Sequence, residues 1–175
     1  MYDFNILVSY PWNQYANAKK EIQNILKRLG EENPSVTRTI AEGIIGVKTC
    51  QNPREVVHAL QGMFNEDPTV FQYTSKWVPI ELWTYADMNS IKKAVERLKT
   101  EIHAGEKWRI ILEKRRFTKH HKIEIIKNIA ELVDEKVDLK NPDKTLRIDI
   151  IGRYAGISIL KPNDMFSTSH AINLR

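Results

Sequence analysis

The chain has 175 residues, of which 42% are hydrophobic and 28% charged, and it carries a formal net charge of +5 at pH 7. That balance suits a folded chain with its own core and excludes a disordered one. The single cysteine, Cys50, excludes an internal disulfide framework and a cysteine-based zinc cluster. No apolar run approaches the roughly 20 residues that cross a bilayer, so no membrane partner is expected. Met1-Tyr2-Asp3-Phe4 lacks the basic stretch of a signal peptide, and a cytoplasmic location is expected. Charge is uneven along the chain. Residues 1–77 hold eight Lys/Arg and eight Asp/Glu, whereas residues 78–175 hold nineteen and fourteen. A structural half followed by a polyanion-binding half gives such an imbalance.

The first half predicts a βαββαβ unit over residues 1–76. Phe4 to Tyr10 is rich in strand formers. Asn13 to Leu29 has apolar residues at helical spacing (Tyr15, Ala18, Ile22, Ile25, Leu26, Leu29), with Gly30 placed to end the helix. Val36 to Ile40 and Ile44 to Thr49 read as short strands joined through Glu42-Gly43. Asn52, Pro53 and Glu55 make a helix start, and the helix is expected to bury Val56, Val57, Leu60 and Phe64. A strand at about Val70 to Thr74 closes the pattern, which is that of a ferredoxin-like split βαβ unit. Glu31 and Glu32, beyond Gly30, read as solvated. Residues 77–86, with Trp77, Pro79, Trp83 and Tyr85, read as a linker whose aromatics pack between two domains.

The second half opens with a helix from about Asp87 to His103, with Ile91, Ala94, Val95, Leu98 and Ile102 on its apolar face. A strand follows over Trp108 to Lys114. Thr118 is placed to cap a helix that buries Ile123, Ile126, Ile129, Ala130 and Val133. After Val137-Asp138-Leu139 and the turn Asn141-Pro142-Asp143, strands Leu146 to Ile151 and Tyr154 to Leu160 flank Gly152-Arg153, a pair suited to a type II′ hairpin. The domain ends near 165, and residues 166–175 read as a loosely held tail. The fold class is therefore α+β.

The densest chemical signal is Lys114-Arg115-Arg116-Phe117-Thr118-Lys119-His120-His121-Lys122. It falls where a strand gives way to a helix, so side-chain cations and helix-start amides are expected to converge on a phosphate, with Phe117 placed either to stack a base or to plug the core. Cations at a helix start are unfavourable without an anion, which favours binding over a merely solvated turn. His120 and His121 point about 100° apart on a helix and find no completing ligands, so no metal site is expected. Cys50 has no activating partner, and no glycine-rich nucleotide loop is present. Asn141-Pro142-Asp143 lacks the aromatic of an amino-methyltransferase tetrapeptide. No catalytic residue and no cofactor are expected.

The order helix, strand ending in Glu113-Lys114-Arg115-Arg116, helix, Val137-Asp138-Leu139-Lys140-Asn141-Pro142-Asp143, then the hairpin from Ile148 to Leu160, resembles a THUMP domain over about residues 80–165. The ferredoxin-like unit ahead of it resembles the domain that usually accompanies THUMP. The resemblance implies binding of tRNA at the acceptor stem and 3′ end, beside a modifying enzyme. With no thiouridylase loop, methyltransferase or deaminase signature, the chain resembles the stand-alone adaptor type that assists an RNA cytidine acetyltransferase making N4-acetylcytidine. The implied contacts are Lys114, Arg115, Arg116, Phe117, Lys119, His120 and Lys122, extended by Arg153 and Lys161 if the hairpin lies alongside. Asn141 and Asp143 either touch RNA or shape a turn. The alternatives are an interaction or dimerisation module with no specific tRNA role, or part of a thiolation or methylation system.

Overall fold

A computed structural model describes residues 1–169. In chain order the elements are β1 (Ile6–Ser9), α1 (Tyr15–Arg28), β2 (Ser35–Arg38), β3 (Ile44–Lys48), α2 (Pro53–Glu66), β4 (Lys76–Pro79), β5 (Leu82–Tyr85), α3 (Met88–Leu98), β6 (Trp108–Arg115), α4 (Lys122–Ala130), β7 (Lys144–Ile151), β8 (Tyr154–Leu160) and β9 (Phe166–Ser167). The chain divides into two compact units. The first comprises Asp3–Ile80 and the chain from Asn163 onward; the second comprises Met1–Tyr2 and Glu81–Pro162. Among the described residues no helix is long and apolar enough to cross a membrane.

The first unit is a five-stranded sheet in the order β2-β3-β1-β4-β9, antiparallel throughout. The βαββαβ succession with its first four strands arranged 2-3-1-4 is the ferredoxin-like order. Ile22, Ile25 and Leu26 of α1 and Val56, Val57, Leu60 and Phe64 of α2 bury against Ile6, Val8, Ile45, Val47 and Trp77 of the sheet. Asn52 caps α2 through its side chain, which accepts from the Arg54 and Glu55 amides, and Gly30 ends α1 with φ of 94°.

Three features of this unit depart from the sequence reading, and one buried carboxylate accounts for the first. Glu21 of α1 accepts from the amides of Gln72 (2.6 Å), Tyr73 (3.0 Å) and Thr74 (2.6 Å). Those amides are thereby withdrawn from any strand ladder, so the segment expected as the closing strand is a short 3-10 turn, Pro68–Val70, and a pinned loop. The closing strand is β4, inside the expected linker. Trp77 is fully buried in the first core, while Leu82–Tyr85 is already a strand of the second unit. Second, the expected tail contributes β9. Phe166 is buried between Phe64 and Phe71, and Asp164 receives Arg54 Nη1 and His58 Nε2, each at 2.7 Å. Residues 170–175 of that tail lie outside the described residues. Third, Glu31 is buried, accepting from the Cys50 amide at 2.9 Å and from the Thr49 hydroxyl.

The second unit is a four-stranded sheet ordered β5-β8-β7-β6, in which β6 and β7 run parallel and the other pairs antiparallel. Central β7 is buried at every position. Its Leu146, Ile148 and Ile150 face α3 and α4 through Ile91, Val95, Ile125 and Ile129. Its alternate residues carry Arg147 and Asp149, which pair with each other at 2.9 Å although both side chains are less than 5% exposed. Helix α4 begins at Lys122 with His121 as its cap residue, three positions later than expected from Thr118. Ile123, expected in the core, is exposed.

Candidate nucleic-acid interface

All four strands of the second sheet bring an end to the same edge. Register pairs Arg115 with Ile151, Ile151 with Tyr154, and Tyr154 with Tyr85. The β7–β8 turn is fastened there on both sides, since the Gly152 amide donates to the Arg115 carbonyl at 2.8 Å and the Ala86 amide to the Arg153 carbonyl at 2.9 Å. Gly152 has φ of 62°, which the first loop position of a type II′ turn requires and glycine adopts without cost. Arg116 also lies in the left-handed region, at φ of 58°. That conformation costs a non-glycine residue energy, and it turns the chain out of β6 into the loop before α4.

These loops border a shallow, open cleft of about 470 Å³ lined by Tyr85, Ala86, Asp87, Arg116, Phe117, Lys119, Gly152 and Arg153. Arg116, Lys119 and Arg153 are exposed. Among the described residues no carboxylate lies within ion-pair distance of Arg116 or Arg153. Asp87 is the one acid in the lining. It caps α3 by accepting from the Ser90 amide and hydroxyl, both at 2.8 Å. Those bonds, backbone first, hold its carboxyl below the usual carboxylate range, with a smaller contribution from the charge of Lys119. Tyr85 is 54% exposed and stands 5.8 Å from the Tyr154 ring. Phe117 is half-buried and packs against the core of this unit. Exposed guanidinium and ammonium groups beside aromatic faces are what holding a phosphate and stacking a base require.

The other residues expected at the site are differently employed. Lys114 Nζ donates to the His120 carbonyl at 2.7 Å and sits 5.8 Å from the Phe117 ring centre, so it braces the loop. Arg115 Nη1 lies 3.3 Å from Asp149 Oδ1 and joins the buried Arg147–Asp149 pair. His120 Nδ1 is 3.1 Å from Glu124 Oε1. Lys122 is exposed at the start of α4, but that helix start does not line the cleft. The expected meeting of cations and α4 amides in one spot is therefore replaced by cations with strand-end loops. Lys161 is at the far end of the sheet. Antiparallel register carries β8 from Tyr154 beside Ile151 to Leu160 beside Thr145, about 20 Å away at roughly 3.3 Å per residue. Asp138, not Asn141, shapes the turn that follows Val137, which bridges to Trp108 of β6, by accepting from the Lys140 and Asn141 amides; Asp143 accepts from the Lys107 amide.

Three lining residues, Tyr85, Ala86 and Asp87, escape the sequence reading. Tyr85 was assigned to a linker, although Trp83 and Tyr85 alternate as same-face residues of a strand do. Asp87 is legible as a helix cap, and nothing local to it says that a distant basic loop folds over the same spot.

The sequence model of the THUMP domain matches residues 85–160. No curated protein matches the chain's sequence. Among solved structures, PH1313 from Pyrococcus horikoshii is 21% identical, with a TM-score of 0.64 over 90% of this chain and 55% of its own. TrmN from Thermus thermophilus is 14% identical, with a TM-score of 0.58 over 90% of this chain and 46% of its own. A 4-thiouridine synthetase solved with RNA and ATP is 13% identical, with a TM-score of 0.57 over 94% of this chain and 42% of its own. The chain thus shares the fold of these proteins and spans about half their length.

Proposed function

We propose that this chain, whose residues 85–160 form a THUMP domain, is a tRNA-binding adaptor that serves an RNA-modifying enzyme and supplies no reacting group itself. The observation that carries this reading is the cleft at the sheet edge, where Arg116 and Arg153 stand exposed with no carboxylate within ion-pair distance among the described residues, and where Tyr85 and Phe117 share the lining. A phosphate satisfies the guanidinium groups, and an unpaired base covers aromatic area that water solvates poorly. Recognition of this kind reads charge and shape, with little sequence content. The likeness in fold to a 4-thiouridine synthetase solved with RNA supports RNA as the ligand. The acceptor stem with its single-stranded 3′ end is the part of tRNA that offers backbone and unpaired bases together. The enzyme served is an RNA cytidine acetyltransferase, and the adaptor works in the cytoplasm by holding the substrate in place.

Titration of the protein with intact tRNA and with tRNA shortened at its 3′ end tests the reading. Intact tRNA is expected to bind at least tenfold tighter at about 0.1 M salt, with affinity falling steeply as salt rises. Equal affinity for both RNAs removes the 3′-end assignment, and the absence of salt-dependent binding removes the adaptor. Addition of this protein to an RNA cytidine acetyltransferase is expected to raise acetylation of tRNA. Incubation of the protein alone with tRNA and acetyl donor is expected to leave the RNA mass unchanged.

A further inference from the structure

The first unit contains a larger cleft of its own, about 660 Å³, between the outer face of α1 and the segment 69–73. Its helical wall presents Lys20, Asn24, Lys27 and Arg28, which at spacings of four, seven and eight residues form a single stripe, and all four are exposed. Gln72 and Tyr73 form the facing wall. That wall is fixed in place, because the Glu21 carboxylate beneath it takes the amides of residues 72, 73 and 74. Glu21 is 9% exposed, and its charge is spread into those backbone donors. Among the described residues no carboxylate lies within ion-pair distance of Lys20, Lys27 or Arg28. Asp67 lies within electrostatic reach of Arg28, and its carboxyl is held below its usual range mainly by the Thr69 hydroxyl and amide.

The helix dipole accounts for Lys27 and Arg28, which occupy the last turn of α1. It does not account for Lys20 two turns earlier, nor for a rigid facing wall. The stripe also has a length. Lys20 and Arg28 are eight residues apart, about 12 Å along the axis, so the row of cations is longer than a single phosphate. A chain of phosphates matches a row of that length. From this geometry we propose that the groove binds the sugar–phosphate backbone of an RNA strand, with two or three phosphates on Lys20, Lys27 and Arg28. The Asn24 and Gln72 amides are then placed for ribose hydroxyls. The proposal rests on the adaptor reading for the identity of the polyanion, and adds a contact surface on a unit whose overall charge is balanced.

The full chain is titrated with a labelled tRNA minihelix bearing an unpaired 3′ end, over about 0.05–0.3 M KCl. Four proteins are compared: the parent, Lys20→Gln/Lys27→Gln/Arg28→Gln, Arg116→Gln/Arg153→Gln, and a charge-matched control, Lys93→Gln/Arg97→Gln/Lys127→Gln. The groove variant is expected to bind about tenfold more weakly at 0.1 M salt, with a salt slope lower by about 2, and to melt no more than a few degrees lower through the lost helix-dipole contacts of Lys27 and Arg28. The control is expected to change affinity less than threefold. A groove variant indistinguishable from the control overturns the proposal and leaves the adaptor reading standing if the Arg116/Arg153 variant still loses affinity. A parent protein that binds no minihelix overturns both. Competition by polyglutamate as effective as by RNA makes the groove a general polyanion surface and overturns the assignment to RNA.

Discussion

Arg115 and Arg116 are consecutive in the chain and meet opposite surroundings. The Arg115 guanidinium turns back over the sheet to Asp149, in a cluster with Arg147 where both β7 side chains are less than 5% exposed. Arg116, released from the strand by its left-handed backbone, lines the cleft with Arg153 and has no carboxylate within ion-pair distance among the described residues. A basic run is thus two populations. One set of cations neutralises a buried carboxylate and holds the scaffold; the other is left uncompensated where a ligand can reach it. Buried charges that lose a partner cost several kcal/mol, whereas exposed ones contribute little to stability and much to binding.

Substitutions separate the two populations. Asp149→Ala removes the carboxylate that the buried Arg147 shares with Arg115 and is expected to destabilise the protein by about 3–5 kcal/mol, measured by urea unfolding. A loss under about 1 kcal/mol places Arg147 in contact with water and breaks the contrast. Arg116→Ala/Arg153→Ala is expected to leave the urea midpoint unchanged. It should weaken tRNA binding by about tenfold, with the salt slope reduced by about 2. Arg115→Ala is expected to behave in the reverse sense, costing about 1 kcal/mol of stability with an unaltered salt slope, because Asp149 retains Arg147. Should Arg115→Ala flatten the slope as Arg116→Ala does, Arg115 leaves Asp149 to meet RNA.

Much of this architecture is legible in the residues. Helical spacing from Tyr15 to Leu26, the Asn52-Pro53 start and the Gly152 turn each follow from local chemistry, and each is in the structure. What escapes is non-local. The Glu21 carboxylate captures amides fifty residues downstream and displaces a strand, and no property of Gln72 or Tyr73 announces it. Phe166 belongs to the first core because the chain returns after the second unit, which a polar stretch such as Lys161-Pro162-Asn163 does not foretell. At the cleft the decisive fact is parallel register. Alternation along β7 places Arg147 and Asp149 on one face, but only the pairing of β6 with β7 decides that Arg115 joins them. Density of charge in the sequence therefore located the loop, and pairing in the fold divided it.

Asp87 gives the smallest effect and the finest test of what the cleft holds. Its carboxylate has two employments, as the cap of α3 through Ser90 and as the negative charge in a lining otherwise cationic. Asparagine caps nearly as well as aspartate, so Asp87→Asn is expected to change stability by a few tenths of a kcal/mol, against about 1 kcal/mol for Asp87→Ala. The parent's pH dependence has a definite sign. Because the folded carboxyl titrates below its ordinary value near 3.9, its stabilisation is full above that value and is lost as pH falls through the depressed one. At neutral pH the residue is therefore charged, and Asp87→Asn removes a whole negative charge from the cleft and frees Lys119 from its attraction. If phosphate occupies the cleft, tRNA should bind about two- to threefold tighter to Asp87→Asn at low salt, with the gain fading by about 0.3 M as screening shortens. Weaker binding at unchanged stability would instead make the carboxylate an acceptor for a ribose hydroxyl or base amine. The cleft would then hold nucleoside, and the phosphates would lie on Arg116 and Arg153 alone.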